Sequence, residues 1–246
     1  MTTTISNRLQ QTRQRIAAAC EAAGRAPGAV QLLAVTKTFG ADAVREAFDA
    51  GQAAFGENYV QEGVDKIAAL ADLRARIQWH MIGPLQSNKT RVVAEQFDWV
   101  HSVDRLKIAE RLSAQRPPGL APLQLCLQVN ISGEASKSGV PPAEVADVAR
   151  AVAALPHVVL RGLMAIPEPA QTSDAQRAPH RELHVLFAAL NAQGLALDTL
   201  SIGMSADLEA AVQEGATMVR IGSAIFGART PVASAAPAAP FRPAAT

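Results

Sequence analysis

The stretch "LLAVTKTFG" (residues 32–40) carries a lysine at the end of a near-continuous apolar run that stops at a glycine. Short apolar runs bounded by turn residues are typical of strands that are buried on both faces of a parallel sheet. Lysine is rarely buried without a partner, because removing an ammonium group from water costs several kcal/mol. The place of Lys37 at the end of a core strand therefore needs a chemical reason.

The same unit, a short apolar run followed by a turn and a segment of helical periodicity, recurs along the chain. The predicted strands are 30–36, 53–56, 77–82, 99–102, 123–130, 158–165, 199–204 and 217–221. The predicted helices are 41–50, 58–70, 86–96, 104–115, 142–154, 178–193, 206–214 and a short one near Ser223. Strict alternation of strands and helices requires a parallel sheet, and eight such units favour a single closed (β/α)₈ TIM-type barrel. An open doubly wound sheet is the alternative, but it would carry a Gly-x-Gly-x-x-Gly turn after its first strand, and none follows Val35.

The ends of the chain differ from these units. An extra amphipathic helix is predicted from about Ser6 to a stop at Gly24, although the arginine-rich composition of this segment also admits an organelle transit peptide. We expect the barrel domain to span residues 1–229. Residues 230–246, "TPVASAAPAAPFRPAAT", are rich in alanine and proline and predict a disordered tail.

The overall composition narrows the class of partner. The chain has 246 residues, 49% of them hydrophobic, and its 23 Lys plus Arg nearly balance its 22 Asp plus Glu. Because no broad positive field is available, we expect neither nucleic acid nor a membrane surface as a partner. Cys20 and Cys126 show no Cys-x-x-Cys spacing, and no apolar stretch is long enough for a membrane span. These features predict a cytoplasmic protein, and we expect a monomer because no spare apolar surface is obvious.

Polar and glycine residues collect at the C-terminal ends of the predicted strands, which form the functional face of a barrel. They are Lys37, Glu57, Asn58, His80, Gly83, Asn130, Met164, the segment 201–205 ("SIGMS") and the segment 220–227 ("RIGSAIFG"). A barrel usually binds phosphate with the loops after strands seven and eight and the start of a short helix. Ser205 and Ser223, each near a glycine, stand at those two places. Either serine alone could be an ordinary helix N-cap, but the pair favours a phosphate site.

Strand alternation places Lys37 on the face of Leu33 and Val35, and Arg220 on the face of Met218. If those faces point inward, a lysine and an arginine project into the phosphate site. A ligand with a phosphate, an aldehyde for lysine and a ring nitrogen for a cation is pyridoxal 5′-phosphate, held as a Schiff base.

The other four lysines are weaker candidates for that bond. Lys66, Lys89 and Lys107 lie in or beside predicted helices and are expected to be solvated, and Lys137 lies in a Gly/Ser-rich loop where a secondary contact is conceivable. An arginine donates hydrogen bonds but accepts none, so Arg220 would leave the ring nitrogen unprotonated. The predicted consequence is a tightly held cofactor with weak carbanion stabilisation.

Seven motifs resemble, in order and spacing, the pyridoxal phosphate homeostasis proteins of the YggS/PROSC type. They are "AVTKTF", "FGENYVQE", "WHMIGPLQSNK", "VNISGEASKSG", "GLMAIP", "LSIGMSADLEAA" and "MVRIGSAIFG", and the match runs from about residue 5 to residue 229. The segment 168–180, rich in proline and alanine, and the tail depart from the pattern without touching the proposed site.

The resemblance implies a barrel similar to the N-terminal domain of alanine racemase, with the cofactor on Lys37 and no established turnover. It also implies storage or delivery of pyridoxal phosphate in vitamin B6 homeostasis, with apo forms of pyridoxal phosphate-dependent enzymes as candidate recipients. By motif, the cofactor-binding residues are Lys37, Asn58 and Met204 in the pocket, Ser205, Gly222 and Ser223 around the phosphate, and Arg220 at the ring nitrogen.

Two enzymatic readings stay open at this point. A racemase needs a base on each face of the substrate carbon, and the single tyrosine, Tyr59, lies within the second-strand motif. A Schiff-base aldolase acting on a phosphosugar would explain Lys37 and the phosphate site but gives Arg220 no particular role. His80 fits a pocket residue or a hydrogen-bonded core histidine equally well. Glu57 is expected to hydrogen-bond within the barrel rather than act as a base, and no metal-binding spacing is present.

Overall fold

Eight parallel strands form a closed barrel in the order of the sequence. The computed structural model describes residues 4–133 and 138–227. The strands are β1 (Gln31–Val35), β2 (Ala54–Glu57), β3 (Gln78–Met81), β4 (Trp99–Val103), β5 (Leu123–Gln128), β6 (Val158–Met164), β7 (Thr199–Ser201) and β8 (Met218–Ile221). The predicted (β/α)₈ barrel is confirmed, and the open sheet is excluded. The proposed tail, residues 230–246, and the loop residue Lys137 lie outside the described residues.

Helices surround the strands and follow the predicted alternation. They are α1 (Ile5–Ala22), α2 (Ala41–Asp49), α3 (Val60–Ala69), α4 (Thr90–Gln96), α5 (Leu106–Gln115), α6 (Val145–Ala153), α7 (Ser173–Ala192), α8 (Leu208–Gln213) and α9 (Ser223–Phe226). The extra N-terminal helix is present as α1, and Gly24 at φ 65° follows its end, as expected. Within the described ranges, no helix combines the length and the apolar character needed to cross a membrane.

The start of α7 corrects the sequence prediction, which placed it at residue 178. The helix begins at Ser173, because the Thr172 side chain accepts a hydrogen bond from the Ala175 N–H and caps it. Pro179 therefore lies inside the helix, where it removes one backbone hydrogen bond. An ion pair between Arg177 and Glu214 and a hydrogen bond between His180 and Asp207 hold these first turns against the loops that follow and precede α8.

Strand register determines which side chains reach the centre of the barrel. Strand β1 pairs with β8, with Leu33 opposite Arg220, so the sequence-distant ends of the sheet are neighbours. Leu32 and Ala34 belong to the large core between strands and helices. Leu33 and Val35, on the alternate face, form a separate cluster inside the barrel with three further apolar side chains, Ala54, Ile82 and Met218. Lys37 continues that inward-facing series at the C-terminal end of β1.

Helix α1 braces the loop after β7 from outside the barrel. Arg15 forms a two-pronged ion pair with Glu209 of α8 and donates a third hydrogen bond to the Ser205 carbonyl at 2.9 Å. Leu9 and Cys20 are fully buried on the inner face of α1. The extra helix thus fixes one of the two loops that the sequence assigns to phosphate binding.

Candidate functional site

One cavity at the C-terminal end of the barrel contains all seven residues that the sequence analysis selected. Its volume is about 390 Å³, within the range usual for small-molecule sites. The selected lining residues are Lys37, Asn58, Met204, Ser205, Arg220, Gly222 and Ser223, and the other lining residues are Val35, Phe39, Ile82, Ile166, Ala206 and Gly227. Their convergence on one cavity is a property of the structure, whereas their role as cofactor ligands stays a prediction.

The loops after β7 and β8 form one end of this cavity. Gly222 precedes α9, and a Cβ atom at this position would lie 3.0 Å from the Val35 carbonyl oxygen. A glycine here therefore lets the chain pass close to β1 while its backbone faces the cavity. On the other loop, the Met204 N–H donates to Asp207 Oδ1 at 2.7 Å, which closes the turn that carries Ser205.

Asp207 supports this turn without lining the cavity, and sequence reasoning did not select it. Burial raises the pKa of its carboxyl group, but hydrogen bonds from His180 and from the Met204 N–H outweigh burial, so the net shift of the pKa is downward. His180 Nε2 lies 2.9 Å from Asp207 Oδ2. The sequence signal for this role was an aspartate three residues after Met204, because aspartate side chains often accept a nearby backbone N–H and close a turn.

Arg220 is a buried cation whose hydrogen-bond acceptors are all uncharged. Its Nη1 donates to the Ser201 carbonyl at 2.5 Å and to Ser201 Oγ at 2.9 Å, and its Nη2 donates to the Ala165 carbonyl at 2.9 Å. The side chain is 5% exposed, and burial lowers the pKa of its guanidinium group to about 10. The group stays charged at neutral pH, and its hydrogen-bond acceptors are neutral dipoles, while the negative charge of Asp207 opposes the lowering of its pKa without bonding to it.

Two histidines continue the contacts of Arg220 into the barrel. His101 Nδ1 lies 2.9 Å from Ser201 Oγ, and His101 Nε2 lies 2.9 Å from His80 Nδ1. We call Ser201, His101 and His80 the histidine chain. His80 also stacks on the Trp99 ring at a centroid distance of 5.2 Å. Of the two readings that the sequence allowed for His80, the structure supports the core histidine, since it does not line the cavity.

The contacts of the histidine chain need no charged imidazole. Ser201 Oγ accepts from Arg220 and is also paired with His101 Nδ1, while His101 Nε2 is paired with His80 Nδ1, and one proton per ring is enough for both contacts. Burial lowers the pKa of His80 to about 3 and lowers that of His101 well below its ordinary value, so both rings are neutral. The chain thus offers dipoles to Arg220 without adding a charge.

Lys37 sits in a tight turn at the end of β1. The Phe39 N–H donates to the Thr36 carbonyl at 3.0 Å, which makes Lys37 the second and Thr38 the third residue of a four-residue turn. Thr38 has φ 69°, a conformation that a β-branched residue rarely adopts. Lys37 itself is half-buried and lines the cavity.

Asn58 lines the same cavity directly after β2. Its Oδ1 atom is buried and has no hydrogen-bond partner among the described residues. Gly83 allows this placement, because a Cβ atom there would lie 2.1 Å from the Asn58 carbonyl oxygen. The side chain of Asn58 therefore contributes a polar group to the wall of the cavity, with an acceptor that the protein leaves unsatisfied.

Lys66 contradicts the expectation that it is a solvated helix residue. It is 5% exposed, and its Nζ lies 2.7 Å from each of three acceptors, Glu57 Oε1, Glu62 Oε1 and the Thr36 carbonyl oxygen. We call Lys66, Glu57 and Glu62 the lysine–acid cluster. Lys89 and Lys107 are exposed, as expected. The four-residue spacing of Glu62 and Lys66 predicts an ion pair on the helix surface. Lys66 is buried instead, because it also pairs with Glu57 on β2.

Glu57 hydrogen-bonds within the barrel, as the sequence analysis expected. Its Oε1 accepts from the Thr36 hydroxyl and from Lys66. Burial raises the pKa of this carboxyl group, and the nearby Lys66 opposes that rise. Glu57 is fully buried and does not line the cavity, so its partners lie on the outer side of the Lys37 turn.

Comparisons with known proteins agree with this geometry. Residues 8–230 match the family model of the alanine racemase N-terminal domain. A pyridoxal phosphate homeostasis protein of Pseudomonas aeruginosa is 60% identical over 92% of this chain and 96% of its own length. The protein of that name from Escherichia coli is 55% identical over 92% of this chain and 97% of its own length.

Solved structures of similar chains share the whole barrel. A protein of Bifidobacterium adolescentis superposes with a TM-score of 0.85 at 36% identity, covering 90% of this chain and 94% of that one. PipY of Synechococcus elongatus, solved with PLP bound, has a TM-score of 0.80 at 40% identity over 91% of this chain and all of its own. Alanine racemase of Clostridium difficile, at 13% identity and a TM-score of 0.67, shares the fold over 80% of this chain and 52% of its own. The chain belongs to the pyridoxal phosphate homeostasis protein family.

Proposed function

We propose that this protein binds pyridoxal 5′-phosphate as a Schiff base on Lys37 and serves in intracellular vitamin B6 homeostasis without sustained catalytic turnover. PipY, which was solved with PLP bound, is similar over its full length, and the curated relatives carry the name pyridoxal phosphate homeostasis protein. The observation that carries the proposal is the convergence of Lys37, Arg220 and the two glycine–serine turns on one cavity.

The residues present fit the cofactor group by group. Ser205, Gly222 and Ser223 would hold the phosphate, since their loops supply hydroxyl and backbone donors at the edge of the cavity. Arg220 would face the ring nitrogen, because a buried guanidinium with uncharged partners suits an electron-rich acceptor. Asn58 and Met204 would complete the wall, with the unsatisfied Asn58 Oδ1 available to a ligand donor.

When bound, the cofactor supplies an aldehyde that links to an amine and a ring that can accept electrons. Arg220 would donate to that ring and would not deliver a proton to its nitrogen near neutral pH, since the pKa of its guanidinium lies at about 10. This chain therefore favours holding the cofactor over stabilising a carbanion.

The composition of the cavity also favours a carrier over a racemase. Apart from Lys37 and Arg220, the described lining residues contain no histidine, tyrosine, cysteine or carboxylate. Racemisation requires a proton acceptor on one face of the substrate carbon and a donor on the other. Tyr59, the residue considered for that role from sequence, is 61% exposed and does not line the cavity.

The proposal extends to the cell in three further respects. We place the protein in the cytoplasm, as a monomer, and we propose that apo forms of pyridoxal phosphate-dependent enzymes receive the cofactor. Transfer from the loaded protein to such an apo-enzyme is to be compared with free cofactor at equal concentration. Faster activation by the loaded protein supports delivery, and activation no faster than cofactor release supports storage alone.

The direct test uses borohydride reduction of the purified protein mixed with pyridoxal phosphate. Wild type is expected to become yellow and to retain one reduced cofactor on the peptide that contains Lys37. Lys37→Ala is expected to lose this label, whereas Lys89→Ala, which removes an exposed lysine, keeps it. Unlabelled wild type would refute the proposal. Multiple-turnover formation of a D-amino acid from L-alanine would show an enzyme instead.

A further inference from the structure

The lysine–acid cluster contacts both peptide units that flank Lys37. Lys66 Nζ donates to the Thr36 carbonyl at 2.7 Å, one residue before Lys37. Glu62 Oε1 accepts the Thr38 N–H, one residue after it, at 2.5 Å. Glu57 accepts the Thr36 hydroxyl. Helix α3 and strand β2 therefore hold the backbone on either side of the proposed cofactor lysine.

Lys66 joins these contacts into one unit. Its three N–H donors have three acceptors, each at 2.7 Å, and two of these are the carboxylates that bind Thr36 and Thr38. An ammonium group has three donors and no acceptor, so this environment satisfies it completely. Removing Lys66 would leave two neighbouring carboxylates unneutralised, one of them fully buried in Glu57.

The unit acts on a strained position. Thr38 has φ 69°, a strained conformation for a residue with a Cβ atom, so the turn persists because its surroundings hold it in place. Two hydrogen bonds hold the turn in this conformation: the Glu62 carboxylate accepts from the Thr38 N–H, and Lys66 donates to the Thr36 carbonyl. The direction of the Lys37 side chain follows from the backbone of this turn.

We propose that Lys66 is a positioning residue for Lys37: with Glu57 and Glu62 it locks the turn of residues 36–39 so that the lysine amine points into the cavity before the cofactor arrives. This inference rests on the proposed function, because it concerns the amine that would bond the aldehyde. Lys66 does not line the cavity and acts through the backbone alone. Loss of such preorganisation weakens covalent capture without altering the groups that touch the cofactor.

The test measures the dissociation constant and the borohydride-trapping rate of pyridoxal phosphate in wild type and variants. Lys66→Met is expected to bind at least about tenfold more weakly. Glu57→Gln combined with Lys66→Met replaces the buried ion pair by neutral groups of similar shape, so it is expected to fold and still to bind weakly. Arg116→Met is the matched control, since Arg116 is also 5% exposed but contacts the carbonyls of Ala94, Phe97 and Ala121 instead.

Two rescue variants separate positioning from general stability. Glu62→Gln keeps an oxygen for the Thr38 N–H and is expected to bind within about threefold of wild type, whereas Glu62→Ala is expected to bind more weakly. Glycine adopts positive φ without strain and so does not need the lysine–acid cluster to hold it. Adding Thr38→Gly to Lys66→Met or to the double variant is therefore expected to restore part of the affinity for pyridoxal phosphate.

The outcomes distinguish the two proposals. Wild type that forms no borohydride-stable bond at Lys37 refutes the proposed function, and the inference falls with it. Wild type that binds, together with a folded Lys66 variant of unchanged affinity and trapping rate, overturns the inference alone. Equal affinity of Glu62→Ala and Glu62→Gln overturns it as well, even if no Lys66 variant folds.

Discussion

The lysine–acid cluster, which contacts the turn of Lys37, consists of charged groups, whereas the histidine chain, which contacts Arg220, consists of neutral groups. The lysine–acid cluster surrounds one ammonium with two carboxylates at 2.7 Å each. The histidine chain presents one hydroxyl and two uncharged imidazoles, and the other acceptors of Arg220 are backbone carbonyls. The two cations lie near adjacent strands, β1 and β8, of the same barrel end.

Lys66 and Arg220 are both buried cations, and they differ in the charge of the groups that accept their hydrogen bonds. Lys66 has carboxylate partners within the protein, and its three donors are paired whether or not a ligand is present. Arg220 donates to dipoles alone, and burial lowers its pKa because those dipoles replace water incompletely. An anionic or electron-rich ligand would give Arg220 a further acceptor at the cavity. The lysine–acid cluster is therefore a part of the fold, whereas Arg220 lines the cavity in which we propose that the cofactor binds.

The largest effect is expected from Lys66→Met. Removing one partner of a buried ion pair leaves an unpaired charge, and we expect the free energy of unfolding of the cofactor-free protein to fall by about 3–5 kcal/mol. Urea denaturation measures this loss. Adding Glu57→Gln to the variant should recover most of it, because the uncompensated carboxylate is then gone. A double variant as unstable as Lys66→Met would show that the charges are not the cause.

Arg220→Met should cost less stability, although the residue is equally buried. The change leaves two carbonyls and a hydroxyl without a donor, a loss of about 1–3 kcal/mol, but it also removes a buried cation. Urea denaturation of the cofactor-free protein compares it directly with Lys66→Met. With pyridoxal phosphate added, the order should reverse for binding, since Arg220 would touch the ligand. A larger stability loss in Arg220→Met than in Lys66→Met would invalidate the comparison.

The barrel could be predicted from the sequence, and so could the face that carries the site. Eight apolar runs ended by turn residues determine the strand count, and closure of β1 on β8 then brings residues 37 and 220 together. The seven selected residues follow from the strand ends and from the family motifs, and the structure places them in one cavity. These features depend on local pattern and on the geometry common to barrels.

The supporting groups could not be predicted in the same way. Lys66 has the spacing of a surface pair with Glu62, and its burial depends on Glu57, which precedes it on β2. The histidine chain joins β3, β4 and β7 across sequence separations of 21 and 100 residues. The early start of α7 was missed because its first turns are stabilised by contacts distant in sequence, an ion pair of Arg177 with Glu214 and a hydrogen bond of His180 with Asp207. Each depends on tertiary contacts rather than on a local pattern.

Lowering the pH should change the free energy of unfolding through the histidine chain more than through the lysine–acid cluster. The pKa of His80 is lowered from 6.5 to about 3 by burial, so between these values the unfolded state binds a proton that the folded state refuses. The free energy of unfolding therefore falls as the pH drops from 6.5 towards 3, by about 1.4 kcal/mol per pH unit for this histidine. Gln at position 80 offers both a donor and an acceptor to His101 and does not titrate. Urea denaturation between pH 4 and 6 should give His80→Gln a slope smaller by about that amount, and parallel curves would contradict the assignment.

The smallest effect is expected from Thr38→Gly, and its sign sharpens the comparison. Threonine at φ 69° is strained by about 1–2 kcal/mol, which glycine relieves, while the added freedom of the unfolded chain offsets about 0.4–1 kcal/mol. The cofactor-free protein should therefore gain up to about 1.6 kcal/mol in urea denaturation, although a side chain is deleted. The matched change Thr12→Gly, in the middle of α1, should destabilise instead, because helix propensity falls and the Thr12 hydroxyl bond to the Arg8 carbonyl is lost. If Thr38→Gly also destabilises, the turn at Lys37 stores no strain, and the lysine–acid cluster has no strained backbone to hold.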